Sequence, residues 1–174
     1  MLGWYLAAMA GAVAAAFAVR ASSVLATLRS AALPIAIGAG GMATVYGMMH
    51  LASGAPLPTM GALAALAKYT ALYFPATFLL EEAAFRGALD AHVHHDGEAR
   101  GWQSAVFVSA LWGLWHLPVS ASLPFPLMVL ELVVVHVGIG VGLSFAWRRS
   151  RNLGGPALAH AVIDAVRNAT MLGL

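Results

Sequence analysis

Apolar residues fall along the chain in six stretches, at roughly 2–19, 31–52, 60–92, 101–117, 126–147 and 154–173, most of them near the ~20 residues that a membrane-spanning helix needs. From Ser30 to Ala67 there is no Lys, Arg, Asp or Glu, and the turn sequence Gly54-Ala55-Pro56-Leu57-Pro58-Thr59 divides that run into two segments. The third stretch closes in the polar segment His92 to Arg100, and the fourth at His116-Leu117-Pro118. Pro118, Pro124 and Pro126 mark the loop that follows. The fifth stretch ends at Arg148-Arg149-Ser150-Arg151, and Pro156 opens the last where a first helical turn tolerates proline. The pattern predicts an all-α fold, a polytopic transmembrane helical bundle of about six spans forming a single membrane domain over residues 1–174. The run Leu2 to Val19 has no basic segment before it, so it reads as a retained first span rather than a cleaved signal.

Composition sharpens this. Hydrophobic residues make up 61% of the chain and charged residues 9%, and the mean hydropathy is +0.82, outside the range of a soluble domain. The bilayer is the expected surrounding. The net charge of +2 and the pI near 9.4 come from a few loop arginines, which excludes a basic surface for nucleic acid. With no cysteine, disulfides, thiolate nucleophiles, thiolate metal sites and cysteine lipidation are all excluded. Cations cluster at Arg20 and Arg29, from Arg86 to Arg100, and from Arg148 to Arg151, while the loops 53–59 and 118–125 carry no charge. With six spans the three clusters share one face, which the positive-inside rule makes cytoplasmic and which leaves both termini outside. The expected location is a multi-pass position in a bacterial inner membrane. Gly138 and Gly142, with Gly140 between them, predict close helix packing, as does Gly38 to Gly41.

Against this background three polar pieces stand out: Glu81-Glu82-x-x-x-Arg86, Trp112-x-x-x-His116 and His160-x-x-x-Asp164. Ionisable groups inside a span cost free energy and are kept for function. Residues four apart share a helix face, so Glu82 and Arg86 are placed to pair. Glu81 points about 100° away from Glu82 and is left free, which suits a general base. Depth agrees across the three spans. At ~1.5 Å rise per residue, Glu81 lies roughly 21 Å from His95, and His116 roughly 24 Å from Arg100. On the same rise Asp164 lies about 20 Å, and His160 about 14 Å, beyond Arg151. One buried site is expected from Glu81, His116, His160 and Asp164, with Glu82 and Arg86 as a structural pair and Trp112 as site packing. Arg167 follows Asp164 by three residues and is placed to pair with it. His92, His94, His95, Asp96 and Glu98 read as a solvated loop, His50 as interfacial, and Glu131 and His136, five apart, as a poor same-face pair.

At these residues the chain resembles the CAAX protease and bacteriocin-processing (CPBP, or Abi) family, whose pattern is Glu-Glu-x-x-x-Arg, aromatic-x-x-x-His and His-x-x-x-Asn or Asp. The matching core covers residues 65–172. The resemblance implies an intramembrane endopeptidase of glutamic type that cleaves membrane-associated peptide or protein substrates near a terminus. It implies that Glu81 and His116 activate a water while His160 and Asp164 stabilise the oxyanion, with no cofactor. A carboxylate held away from water is a better base near neutral pH, and an imidazole N–H is a sensible partner for an oxyanion. An ionised Asp164 cannot donate a hydrogen bond as Asn would, so it is expected to orient His160. Two alternatives stay open: a zinc protease with Glu81, His116 and His160 as ligands, and a non-catalytic membrane protein serving bacteriocin self-immunity or proton-coupled transport.

Overall fold

A computed structural model describes residues 2–56, 60–95, 97, 101–120 and 124–171. All the regular structure among them is helical. Helix α1 is Leu2–Ser22 and α2 is Val24–Ser53. Helix α3, Met60–Thr77, continues without a break through a π-helix over Phe78–Asp90 and a last α turn, Ala91–Val93. Then come α4, Trp102–Trp115, and the short α5, Leu117–Ser120. Helix α6, Phe125–Val129, runs through a second π segment, Leu130–Val135, into α7, His136–Ser150. Helix α8 is Gly154–Thr170. These six rods stand where the apolar stretches predict them. The largest boundary difference is at α2, which begins at Val24 instead of near residue 31, because Ser23 caps it by accepting from the Ala26 N–H at 3.3 Å. Pro118 and Pro126, expected in a loop, lie in the first turns of α5 and α6, where the missing N–H costs nothing.

Four rods, Leu2–Ser22, Val24–Ser53, Gly61–Val93 and Phe125–Ser150, are long and apolar enough to cross a bilayer. Large apolar side chains stand exposed along them, among them Leu6, Phe17, Ile37 and Val134, and lipid is the solvent that makes this affordable. Helix α4 has 14 residues and α8 has 17. Helix α8 is the interior element, whereas α4 buries one face and leaves Trp102, Val106, Phe107, Leu114 and Trp115 exposed. Helix α8 packs against both α2 and α3, and α4 packs against α7. The buried face of α8 is built mostly of small residues, including Gly154, Gly155, Ala157, Ala161 and Ala165, so neighbouring backbones approach closely.

Hydrogen bonds tie the arginine-bearing turns to one end of the bundle. Arg148 grips both carboxylate oxygens of Asp90, at 2.9 and 2.6 Å, and also donates to the Gly101 carbonyl and the Ser104 hydroxyl. Asn152 donates to the Ala18 carbonyl at 2.7 Å. Arg86 is not part of that end: it is fully buried inside the bundle. At the opposite end His50, expected at the interface, is fully buried and bonds through Nε2 to the Thr170 carbonyl at 2.6 Å. That bond fastens α2 to the end of α8.

The glycines divide differently from the expectation. Gly138 and Gly142 have no neighbour within 4 Å of where a Cβ would sit, so they are not a helix-packing pair. The close approach is at Gly140, where a Cβ would meet Ser109 Oγ at 2.6 Å and Arg86 Nη2 at 2.9 Å. Gly38 likewise leaves room for Ile163 of α8, whereas Gly40 and Gly41 face open space.

Candidate active site

The site begins where the α3 rod widens. Pro75 removes one donor from the helical ladder, and the Thr77 hydroxyl donates to the carbonyls of Tyr73 and Phe74 at 3.0 and 3.3 Å. Immediately afterwards the hydrogen bonding turns to the π pattern, which tends to occur at functional sites. Glu81, Glu82 and Arg86 all lie in this segment. Glu82 and Arg86 are fully buried, with Arg86 Nη1 3.1 Å from Glu82 Oε1. Arg86 also stacks over the Trp112 ring at 4.6 Å and donates to the Gly140 carbonyl at 3.4 Å, possible only because residue 140 has no side chain. The same Glu82 Oε1 is 2.8 Å from His160 Nδ1. Glu82 therefore does more than pair with Arg86, since it also fixes the His160 ring.

Glu81 faces a different set. Its Oε2 accepts from the Trp112 indole N–H at 2.6 Å and lies 3.6 Å from His116 Nε2 and 3.8 Å from His160 Nε2. His116 Nδ1 is 2.9 Å from the Trp112 carbonyl. A carbonyl can only accept, so the Nδ1 proton is fixed there and Nε2 is turned to Glu81. In the same way the Glu82 carboxylate claims the Nδ1 proton of His160 and turns its Nε2 to Glu81. The Glu81 and His116 side chains keep 16% and 20% of their surface, against none for Glu82. One carboxylate of the adjacent pair is reachable and the other is sealed. Helix α4 stops at this point: its 14 residues span about 21 Å, less than the ~30 Å hydrocarbon core, and His116 sits at its end.

Trp112, expected only to pack, supplies a hydrogen bond to Glu81 that an aromatic hydrocarbon ring could not. Residue type announced the ring but not the direction of its N–H. The imidazoles of His116, His136 and His160 all stand edge-on to Trp112, with centroids 4.9 to 5.3 Å away. His136 was not foreseen in the site. Its ring lies 4.3 Å from that of His116, and its Nδ1 is 2.7 Å from the Glu131 carbonyl, not from the Glu131 carboxylate. A spacing of five is a poor match to an α-helix. The π segment Leu130–Val135 makes it a hydrogen-bonding distance along the chain, and a sequence pattern tuned to 3.6 residues per turn misses it. Gly113 allows the contact, because a Cβ there would collide with the Leu132 carbonyl.

Asp164 Oδ2 is 3.5 Å from His160 Nε2, and its Oδ1 is 3.4 Å from Arg167 Nη1. Of the His92–Glu98 group, Asp96 and Glu98 lie outside the described residues, and His94 Nδ1 is 3.3 Å from Ser104 Oγ. The metal alternative uses Glu81, His116 and His160, with His116 Nε2 and His160 Nε2 at 3.6 and 3.8 Å from Glu81 Oε2. Among the described residues no three His, Asp or Glu side chains are spaced to hold an ion as they stand.

An all-helical integral membrane protein with carboxylates, imidazoles and an indole converging within its helices is the class these features define. The family model for type II CAAX prenyl endopeptidase, Rce1-like, matches residues 62–166. The chain belongs to that family, and so to the CAAX-type intramembrane proteases. The match takes in all three polar pieces and leaves out the whole of α1 and α2. Neither a curated protein nor a solved structure matches the chain.

Proposed function

We propose that this protein hydrolyses a peptide bond near the C-terminus of a membrane-anchored substrate, with Glu81 as general base. The observation that carries the reading is the convergence of His116 Nε2 and His160 Nε2, at 3.6 and 3.8 Å, on one oxygen of a reachable Glu81, beside a Glu82 that solvent cannot touch. Water bound between Glu81 and His116 loses a proton to the carboxylate as its oxygen attacks the scissile carbonyl. The oxyanion that forms takes a hydrogen bond from His160 Nε2–H, with Glu82 and Asp164 as counter-charges to the doubly protonated ring. When the C–N bond breaks, Glu81 returns the proton to the leaving amine. Trp112 holds Glu81 in place through its N–H, His136 supports the His116 ring, and Asp164 orients His160 against Arg167.

Trp112→Phe keeps the ring and removes that donor. A hydrogen bond to a charged group is worth about 1.5–3 kcal/mol, so turnover should fall about ten- to a hundredfold, and the melting temperature should fall too because the smaller ring leaves space in a buried site. Steady-state cleavage and thermal unfolding of the purified variant read the two effects separately.

The substrate class follows from depth: a scissile bond reaching the end of α4 must belong to an apolar or lipidated segment. The direct test reconstitutes the protein in vesicles with a prenylated C-terminal peptide, and compares the C-termini of membrane-anchored proteins from cells of an inner-membrane host with and without the gene. Cleavage that vanishes in His116→Ala is expected. An unchanged C-terminal proteome together with an intact peptide would exclude proteolysis and leave immunity or transport. A chelator separates the two chemistries, since activity is expected to survive it. Activity lost to the chelator and restored by zinc would assign Glu81, His116 and His160 to a metal instead.

A further inference from the structure

Gly138 and Gly142 serve no helix contact, yet they share one face of α7. They line a cavity of about 720 Å³ between α7 and α2, whose other walls include Leu33, Pro34, Ile37 and, from α4, Val106. The groove follows the helices from the arginine-bearing end inward. From Arg149 to Gly138 is roughly 17 Å of helix, and from Arg29 to Gly38 roughly 14 Å, about half of a ~30 Å hydrocarbon core. It is one leaflet deep.

Arg149 lines this groove and also lines a second cavity of about 320 Å³ with Arg29, Ser30, Ser150 and Asn152. The uncharged groups there are already engaged. Ser30 donates to the Thr27 carbonyl at 2.9 Å and Ser150 to the Asn152 carbonyl at 3.0 Å. The Asn152 amide is held by Ala18 and Gly154, at 2.7 Å each. Arg29 and Arg149 form no ion pair with any described residue, whereas the adjacent Arg148 is bound to Asp90, Gly101 and Ser104. An apolar slot one leaflet deep thus shares Arg149 with a pocket whose spare donors are two guanidinium groups on different helices.

We propose that this is a binding site for one anionic phospholipid, with an acyl chain along Gly138 and Gly142 and the phosphate between Arg29 and Arg149. Acyl chains fill any lipid-facing groove, but two unpaired arginines at headgroup level select the charge of the lipid that fills this one. A second copy of this chain is a poor occupant, because it would set its own arginine-bearing end against these two. The inference does not depend on the protease reading.

The test is thermal unfolding of the full chain in neutral detergent, titrated with phosphatidylglycerol, with phosphatidylcholine of the same chains, or with inorganic phosphate. Selective binding to the folded state raises the melting temperature. Phosphatidylglycerol should raise it more than phosphatidylcholine, and phosphate alone should not. Arg29→Gln and Arg149→Gln should each weaken the phosphatidylglycerol effect about fivefold in concentration. Arg20→Gln, the same charge change at the same end, should leave it unaltered. Gly138→Leu with Gly142→Leu fills open space, so the protein should fold and lose the lipid response with both arginines intact. The proposal is overturned if the two lipids stabilise equally, if phosphate alone reproduces the effect, if Arg20→Gln weakens it as much as Arg149→Gln, or if the filled groove still responds.

Discussion

Glu81→Gln is expected to cost a factor of about 10²–10⁴ in turnover, the range that removal of a general base produces, while the variant remains folded. Glutamine is nearly isosteric, and its amide oxygen can still accept from Trp112 Nε1, a bond of 2.6 Å in the native protein. What it cannot do is take a proton from water at neutral pH. Glu82 and Asp164 still face His160, at 2.8 and 3.5 Å, so no buried charge is left without its counter-charge when the Glu81 carboxylate is lost. Turnover measured beside an unfolding curve reads the result. A variant that cleaves at the native rate would remove Glu81 from the chemistry.

Glu82→Gln, one residue along, should behave in the opposite way and unfold first. Glu82 Oε1 sits 3.1 Å from Arg86 Nη1 and 2.8 Å from His160 Nδ1, and neither Glu82 nor Arg86 touches solvent. Removing one partner of a buried pair strands the other charge, at a cost of about 3–5 kcal/mol. The same change takes away the anion that holds His160. Melting temperature and expression level should both fall, and such activity as survives should be low even in the folded fraction. A Glu82→Gln protein as stable as the native one would show that Arg86 is satisfied by Trp112 and Gly140 alone.

The helices were legible because lipid imposes a length and an apolar composition on every crossing, and those show in the order of residues. The candidate site was legible for a related reason: few ionisable residues interrupt the spans, so the four-residue spacings and a shared depth group Glu81, His116, His160 and Asp164. Directional features were hidden. That the Trp112 N–H meets Glu81, or that Glu82 holds His160 as well as Arg86, depends on rotamers that spacing does not encode. His136 was hidden by the wide turns of its own helix, and the use of Gly140 rather than Gly138 and Gly142 by which face α7 turns inward. Asp90 stands two residues before the polar segment His92 to Arg100, where spacing does not single it out, yet it is fully buried against Arg148.

The wide-turned segment Phe78–Asp90 is anchored twice, at Glu82 by His160 and at Asp90 by Arg148. The eight steps between those anchors act as a ruler. Losing or gaining one residue there would rotate one anchor by roughly a quarter of a turn relative to the other, so the chain could satisfy the clamp or the histidine but not both. In α1 before Gly11, the first residue of that helix to be buried, an added residue moves only greasy surface. Natural variation in length should therefore be forbidden within the ruler and common outside it.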